Sequence, residues 1–334
     1  MQRTPASIDV VIRTFNRPHK LRRALQSLRH QTCPPSSVYV VDNGTNPVTR
    51  QVVESESAKA EGVTVIHYLR SRVGSSRTAA GVGIGTSTAD WIILLCDDDF
   101  LHPERIREDR WIIETLPANT VLIQHSFLRA DYRHRRVWLH RVSSVPVPLA
   151  SALLFRGMGP PGSCTFKGEP ARNHHPFFKE VGVGDYDLYA ALLEHGQGMG
   201  SPFLGFVMDD TRIPGRETTM GTQLVGMVLE HERRYAHLAP RALLPPDEFR
   251  RILRQEAAFY LGKALGLKAF SSSYREIALE QVQALITGML AFMRQRYFYW
   301  LPMKSRGSVS LSFSGLRRMD PEMADLVETN ELPE

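Results

Sequence analysis

The sequence predicts an α/β protein built on a parallel β-sheet, and two features of its first hundred residues lead to that prediction. Short, continuously apolar runs alternate with segments in which apolar residues recur at helical spacing. Strands that are apolar on both faces are typical of a parallel sheet covered by helices on both sides. Such a sheet binds its ligands beyond the carboxyl ends of the strands.

Four apolar runs are predicted to be the strands of this sheet. They are Ile8–Ile12, Val38–Val41, Val63–Tyr68 and Trp91–Cys96. Pro18 predicts the start of a helix after the first strand, because a proline lacks only an N–H that the first helical turn would leave unpaired.

Beyond residue 110 the pattern is mixed. Val121–Ser126 and Arg136–Val142 are predicted strands, whereas Pro146–Gly168 is rich in Pro, Gly and Ser and is predicted to be a loop. Asp185–His195 is predicted to be a helix, since acidic residues stabilise the positive end of a helix at its first turn.

The predicted organisation is a catalytic α/β domain over residues 1–220, a helical C-terminal region over residues 221–305 and a flexible tail over residues 306–334. No internal repeat is evident. The last segment is polar and weakly patterned, which is why we expect it to be loose.

Composition limits the class of protein. The chain has 334 residues, 43% of them hydrophobic, and a formal net charge of +6, so it can bury a sizeable core. Its three cysteines lie far apart, which favours reduced thiols and a cytoplasmic location. No apolar run has the length of a membrane span, so at most a peripheral contact with the inner face of the membrane is expected.

The acidic triplet Asp97-Asp98-Asp99 follows the fourth predicted strand and is the strongest functional signal. Three carboxylates in a partly desolvated crevice repel one another, and a divalent cation removes that penalty. Oxygen ligands suit Mg²⁺ or Mn²⁺, which carboxylates often hold together with substrate phosphates. Helix capping by one aspartate is also expected, but it does not explain three.

Two other polar clusters follow predicted strands. Thr14-Phe15-Asn16-Arg17 follows the first strand, and Asp42-Asn43 follows the second. Because parallel strands end at the same edge of a sheet, we expect these clusters to converge with the acidic triplet in one crevice.

Three segments, IDVVIRTFNRP, VYVVDNGT and ADWIILLCDDDFLHPERI, resemble in order and spacing the family 2 glycosyltransferases. The resemblance implies the GT-A fold, a nucleotide-diphospho-sugar transferase fold with a Rossmann-like mixed sheet. It also implies that Asp42 contacts the base, that Asp97 lies near the ribose, and that Asp99 is the main ligand of Mn²⁺ or Mg²⁺, with Asp97 as a second metal candidate and Asp98 on the nucleotide-sugar.

The family also has an acidic pair before a helix, whose aspartate serves as general base. The segment GVGDYDLYAALLEHG resembles this element, with Asp185 at the base position and Gly184 in place of the usual Glu. Asp187 is the second candidate for the base. Without the resemblance, simple helix capping by Asp185 would remain open.

The sequence departs from the family where basic groups should contact the diphosphate. The usual Arg-Asn pair is replaced by Ala80 and Gly81, and the late histidine that many GT-A enzymes offer to the metal is missing. Other residues are therefore candidates for the nucleotide-sugar site. They are Arg72, Gly74, Arg77, Arg212 and Arg216.

These features predict an inverting, metal-dependent transfer of a sugar from a UDP- or dTDP-linked donor to a hydroxyl of a glycan, lipid-linked or small-molecule acceptor. We expect no nucleic-acid partner, and the helical C-terminus could serve a membrane contact or a homodimer. Two alternatives are a sugar-nucleotide nucleotidyltransferase and a non-catalytic module that binds nucleotide-sugars. The first would show a Gly-rich, basic loop after the first strand, and the second could dispense with the metal ligand and base.

Overall fold

A computed structural model describes residues 5–71, 76–154, 158–173, 185–210, 228, 230–254 and 308–329. The first half of the chain alternates strands and helices as predicted. The elements are β1 (Ile8–Thr14), α1 (Pro18–Arg29), β2 (Ser37–Asp42), α2 (Val48–Lys59), β3 (Val65–Arg70), α3 (Ser76–Thr86) and β4 (Trp91–Cys96).

These four strands form the parallel half of the sheet. Strand β1 pairs in parallel with both β2 and β4, and β2 pairs in parallel with β3. Strands β1, β2 and β4 are almost entirely buried, because helices cover both faces of the sheet, whereas β3 at the edge is partly exposed. The predicted parallel sheet over the first hundred residues is therefore confirmed.

The chain then adds a half of the sheet in which most neighbouring strands pair antiparallel with one another. The elements are β5 (Phe100–Leu101), α4 (Arg105–Thr115), β6 (Thr120–Asp131) and β7 (Arg136–His140). Strand β6 is longer than the predicted Val121–Ser126, and β7 ends two residues before the predicted Val142.

The prediction of a loop over Pro146–Gly168 is wrong. This segment contains β8 (Pro146–Val147), α5 (Leu149–Leu153), a 3₁₀ turn (Pro161–Ser163) and β9 (Cys164–Lys167). Strand β9 inserts between β4 and β6 and pairs antiparallel with both. Four residues are too few for a strand pattern to be recognised among the neighbouring Pro and Gly residues. Pairing with a strand on each side stabilises β9.

Three further elements complete the central body. They are α6 (Gly168–Asn173), α7 (Asp185–His195), which matches the predicted helix, and β10 (Gln197–Asp209). Strand β10 runs parallel to β6 and also pairs with β5 and β8.

Part of the predicted helical region, residues 221–305, lies within the described chain. Residues 230–235 and 246–254 are helical, and their buried side chains Tyr235, Leu238 and Phe249 belong to the same hydrophobic cluster as α7 and one face of the sheet. This part of the C-terminal region therefore shares its core with the α/β domain.

The prediction of a flexible tail over residues 306–334 is wrong for residues 308–329. This segment forms β11 (Ser308–Ser312), α8 (Phe313–Met319) and α9 (Pro321–Thr329). Strand β11 pairs antiparallel with β7 at the edge of the sheet. The two helices bury Phe313, Leu316 and Val327 against β6 and β7. Long-range pairing, which local patterning does not report, holds the segment in place.

The order of the strands across the main sheet is β11-β7-β6-β9-β4-β1-β2-β3. One hydrophobic cluster packs α3, α6 and α7 on one face of β1 and β4, and a second packs α1, α2 and α4 on the other. None of the described helices is both long enough and apolar enough to cross a bilayer.

Candidate active site

The polar clusters predicted to converge do so at the carboxyl edge of the parallel strands. The pairing register sets Thr14 of β1 opposite Asp42 of β2, and Arg13 opposite Cys96 of β4. The acidic triplet follows Cys96 directly, so it opens at the same edge. The structure thus brings the three clusters into one crevice.

Asp97 fixes the loop that follows β1. Its side chain is fully buried, and its Oδ2 accepts hydrogen bonds from the Thr14 hydroxyl at 2.7 Å and from Arg17 Nε at 3.2 Å. The Phe15 N–H lies 3.4 Å from the same oxygen, and Arg17 Nη2 donates to Oδ1. Both oxygens of Asp97 accept hydrogen bonds from the loop after β1, whereas Asp99 has no such contact with Arg17 among the described residues, and the role of Asp97 as a second metal candidate stays a prediction.

Asp98 and Asp99 form the group that suits a cation. The ligand atoms of Cys96, Asp98 and Asp99 lie within 4.8 Å of one another. Two carboxylates at this spacing provide the oxygen donors that Mn²⁺ and Mg²⁺ prefer. Asp98 also binds Arg17 Nη1 at 2.5 Å, so one guanidinium links it to Asp97. The donor set fits a divalent metal held mainly by Asp99.

The electrostatics of Asp99 support this fit. Burial raises the pKa of the Asp99 carboxyl well above its usual range, and the neighbouring charge of Asp98 raises it further. The Asp209 backbone N–H donates to Asp99 Oδ1 at 3.1 Å and opposes that shift. A bound cation would stabilise the ionised carboxylate in a place where burial disfavours it.

Arg13 links the acidic triplet to the proposed base. Its Nη2 donates to Cys96 Sγ at 3.2 Å, and its Nη1 lies 3.5 Å from Asp185 Oδ1. Burial lowers the pKa of Arg13, but the charges of Cys96 and Asp185 raise it above its ordinary value. The Asp185 side chain, 30% exposed, begins α7 and can be reached from the crevice.

Asp42 is completely buried, and it organises the end of the crevice where the sequence predicts a nucleotide contact. Its Oδ1 accepts the Gly44 N–H at 2.8 Å, and its Oδ2 accepts from Tyr68 Oη and Arg70 Nη1, each at 2.8 Å. A carboxylate offers about four lone-pair sites, so capacity for a ligand donor remains. Arg70 is half exposed and presents a cation at this end.

Asn16 holds the loop after β1 against the loop after β2. It adopts a left-handed backbone conformation with φ 54°, and its Oδ1 accepts the N–H groups of Thr45 at 2.7 Å and Asn46 at 2.8 Å. Asn43 donates its backbone N–H to Thr14 O at 3.2 Å. Neighbouring Phe15 projects outward and is 52% exposed, so its ring is free to meet a ligand.

Contacts from the end of β10 hold the loop that carries the acidic triplet. Asp209 Oδ2 accepts from both Lys20 Nζ and Arg23 Nη2 at 3.0 Å. Arg23 Nη2 also lies 3.4 Å from the Asp98 carbonyl. Two basic residues of α1 therefore tie β10 to the loop that carries Asp98 and Asp99.

Asp187, the second candidate for the base, does not face the crevice. Its side chain is 3% exposed, and its Oδ1 lies 2.8 Å from Nδ1 of the buried His231. The helix directs Asp187 into the core two residues after Asp185. The structure therefore favours Asp185 over Asp187 as a base.

Several predicted site residues lie outside the described residues. These are Arg72, Gly74, Arg212 and Arg216; Arg77 lies on α3, but its side chain is not described. Their contribution to the diphosphate site stays a prediction.

Sequence reasoning missed several polar residues that the structure brings to the crevice. They are Arg13, Lys20, Arg23, Tyr68, Arg70 and Asp209. For Arg70 and Asp209 a signal was present, because each ends a strand at the same edge. Lys20 and Arg23 carried no such signal, since their partner Asp209 lies 189 and 186 residues away along the chain.

A mixed sheet of this order with an acidic triplet after β4 is the architecture of the GT-A fold. The family model described as glycosyl transferase family 2 matches residues 9–137. Over residues 9–137 the sequence therefore matches the family that its motifs resemble.

Two curated relatives match this part of the chain. An uncharacterized glycosyltransferase of Haemophilus influenzae is 29% identical over 118 residues, which are 35% of this chain and 38% of that protein. The poly(ribitol-phosphate) β-N-acetylglucosaminyltransferase TarP of Staphylococcus aureus is 28% identical over 106 residues, which are 30% of this chain and 31% of that protein. The matches thus span well under half of either relative.

Solved structures with the same fold cover more of the chain. The mannosyltransferase PcManGT of Pyrobaculum calidifontis, in complex with GDP-Man and Mn²⁺, is 15% identical with a TM-score of 0.57, covering 90% of this chain and 85% of that one. Residues 1–349 of S. aureus TarS, in complex with UDP-GlcNAc, are 14% identical with a TM-score of 0.54, covering 97% and 90%. At these identities the likeness shows the fold, which confirms the predicted GT-A architecture.

Proposed function

We propose that the protein transfers a sugar from a UDP-linked donor to an acceptor hydroxyl, with inversion at the anomeric carbon and with the help of Mn²⁺ or Mg²⁺. The observation that carries this proposal is the convergence of Asp42, the Asp98–Asp99 pair and Asp185 on one crevice. A nucleotide contact, a metal site and a base are the parts that such a transfer needs.

The nucleoside would bind at the end where Asp42 lies. Asp42 is held by Tyr68 and Arg70, so its carboxylate is preoriented to accept an N–H or hydroxyl of the nucleoside. Phe15 offers an exposed ring for stacking on the base. The UDP-GlcNAc bound by TarS and the β-N-acetylglucosaminyl activity in the name of TarP favour a UDP-linked donor, although dTDP-sugars fit the same chemistry.

A divalent metal would be held by Asp99 with Asp98 beside it. When bound, it would supply charge to the departing nucleoside diphosphate. The Asp209 N–H fixes the orientation of Asp99, so the carboxylate does not have to reorganise when the ion arrives. PcManGT, which shares the fold, was solved with Mn²⁺.

Asp185 would accept the proton of the attacking hydroxyl. It is the partly exposed carboxylate at the start of α7, and Arg13 holds a positive charge 3.5 Å away. A single displacement assisted by one base inverts the anomeric carbon, which is why we propose an inverting reaction.

The acceptor is a hydroxyl of a glycan, a lipid-linked saccharide or a small molecule. A cytoplasmic enzyme that contacts the membrane peripherally, or that dimerises through its C-terminal part, is compatible with this proposal. These finer assignments rest on the sequence.

The test is an assay of a nucleotide-sugar panel with Mn²⁺, with Mg²⁺ and with a chelator. We expect release of nucleoside diphosphate from a UDP-sugar only when metal is present, and NMR of the product should show an inverted anomeric centre. Release of pyrophosphate would instead identify a nucleotidyltransferase, and binding without turnover a non-catalytic module.

A pair of variants tests the base. Asp185→Asn should lower kcat by about 10²- to 10⁴-fold with little change in donor affinity. Glu169→Gln is the matched control, since Glu169 is an exposed first-turn carboxylate of α6 at the opposite edge of the sheet. If folded Asp185→Asn turned over like the parent, Asp185 would not be the base.

A further inference from the structure

The first turn of α7 is held by residues far along the chain. Asp187 Oδ1 lies 2.8 Å from His231 Nδ1, and the Asp187 carbonyl accepts the Tyr235 hydroxyl at 2.9 Å. The His231 and Tyr235 rings themselves pack with centroids 4.8 Å apart. Side-chain and backbone atoms of one residue are thus both bound by helical residues 230–235.

These contacts lie deep in the protein. His231 is fully buried, and Tyr235 is 3% exposed. Val228, Tyr235 and Leu238 share a hydrophobic cluster with the buried face of α7. In such a packed, low-dielectric setting the two hydrogen bonds hold the first turn of α7 in one arrangement.

The other end of α7 is held in a similar but more exposed way. His237 Nε2 lies 3.1 Å from Glu194 Oε1, and Arg241 Nη1 donates to the Glu194 carbonyl at 3.0 Å. His237 is 60% exposed. The same stretch of chain therefore contacts both ends of α7, and only the Asp187 end adjoins the crevice.

Asp185 itself depends on this support. Among the contacts that the structure describes, its side chain has the ion pair with Arg13 at 3.5 Å, a distance longer than a hydrogen bond. An ion pair at that distance attracts the carboxylate but does not fix its direction. The backbone of the first helical turn, which Asp187 anchors, must set that direction.

We propose that His231 and Tyr235 are positioning residues that hold the first turn of α7, through Asp187, so that Asp185 points at the acceptor hydroxyl. The proposal rests on the proposed function of Asp185 as general base. It assigns the helical C-terminal residues 230–235 to the catalytic machinery and gives Asp187 the role of an anchor.

The experiment compares four variants of the full chain. Tyr235→Phe removes one hydroxyl, His231→Leu removes the imidazole, and His231→Asn keeps an N–H donor near the position of Nδ1. His237→Leu is the matched control, since it breaks a His–carboxylate contact between α7 and the 3₁₀ turn that follows residues 230–235, at the far end of α7. Each variant is measured for kcat, for donor KM, and for hydrogen–deuterium exchange of the amides at the start of α7.

We expect Tyr235→Phe and His231→Leu to lower kcat about tenfold with donor KM unchanged, because a small misplacement of the base costs rate and not binding. Exchange at the start of α7 should be faster in both, His231→Asn should recover part of the rate, and His237→Leu should match the parent. Unchanged exchange in Tyr235→Phe and His231→Leu would overturn the anchoring role, whatever the reaction is.

The outcome for Asp185→Asn separates this inference from the proposed function. If Asp185→Asn is inactive while Tyr235→Phe exchanges faster but keeps the parental kcat, positioning is refuted and the base assignment stands. If Asp185→Asn is fully active, the base assignment fails, and the positioning role fails with it. Tyr235→Phe keeps the test usable should His231→Leu not fold.

Discussion

Removing the guanidinium of Arg105 should be among the most destabilising single changes in the described fold. Arg105 is completely buried at the start of α4. Its guanidinium donates to Asp109 Oδ2 at 2.9 Å, to the Gly162 carbonyl at 2.9 Å and to Thr165 Oγ1 at 2.8 Å. It therefore joins α4, the 3₁₀ turn before β9, and β9 itself.

The magnitude follows from what Arg105→Met would leave behind. Asp109 is fully buried, and the charge of Arg105 is the largest influence that opposes burial and lowers the pKa of Asp109. Breaking a buried pair by removing one partner costs about 3–5 kcal/mol, because a buried charge loses its compensation. His125 remains in the variant, and its Nε2 lies 2.6 Å from Asp109, so Asp109 keeps one partner. We therefore expect a loss of free energy of unfolding at the lower end of this range, about 3 kcal/mol.

The assay is urea unfolding followed by circular dichroism near pH 8. The matched control is Arg107→Met on the same helix, because Arg107 is 68% exposed and forms an ion pair with Glu104 at the surface. That variant should unfold close to the parent. An Arg105→Met protein within about 1 kcal/mol of the parent would refute the reasoning that the cluster depends on this charge.

Three further predictions concern metal binding, pH and packing. Asp99→Asn should weaken Mn²⁺ binding more than about tenfold by calorimetry, whereas Asp90→Asn, at the opposite edge of the sheet, should not; equal affinities would exclude Asp99 as a ligand. Burial lowers the pKa of His125 in the folded protein, so the unfolded chain binds a proton there at a higher pH. The free energy of unfolding should therefore fall as the pH drops below about 6.5. In urea titrations His125→Asn should flatten this dependence on pH, and an unchanged dependence would contradict the prediction. Gly83→Ala would place Cβ 2.3 Å from Val11 Cγ1 and should cost about 1–3 kcal/mol. The control is Gly315→Ala, whose Cβ would make only ordinary van der Waals contacts, the nearest at 3.4 Å. A neutral Gly83→Ala would show that α3 can shift.

Periodicity predicted the parallel half of the sheet because that half is built from local patterns. Its central strands are continuous apolar runs, as in Trp91–Cys96, and one helix separates each strand from the next along the chain. Burial on both faces produces such runs directly. The general rule for parallel sheets also predicted that the site would lie at the carboxyl edge, and Thr14, Asp42 and Asp97 lie at that edge.

Local patterns failed where a strand depends on distant partners. Strand β9 is four residues long and lies between two strands of the sheet, and β11 is a polar edge strand paired with β7, about 170 residues earlier. Neither has an apolar run, because β11 alternates serine with apolar residues and β9 is too short. Both β9 and β11 form because they pair with strands from distant parts of the chain.

Within the site, local patterns predicted the residue types, whereas the different roles of these residues were predicted only from the family resemblance. The three aspartates of Asp97–Asp99 have different hydrogen-bond donors. Arg17 donates to Asp97 and Asp98, whereas the Asp209 N–H donates to Asp99. Which of two nearby carboxylates faces the crevice depends on helix phase, and this separates Asp185 from Asp187.

Strand β10 connects the stability of the fold to the chemistry of the crevice. Gly205, in its second half, offers its carbonyl to the His102 N–H at 3.2 Å and to Arg105 Nη1 at 3.4 Å. Four residues later, the N–H of Asp209 orients Asp99. The buried contacts of Arg105 therefore fix the same strand that sets the direction of Asp99, the proposed metal ligand. The loop after β4 does not have to be rigid by itself, because the paired strand β10 holds the Asp99 carboxylate in place through the Asp209 N–H.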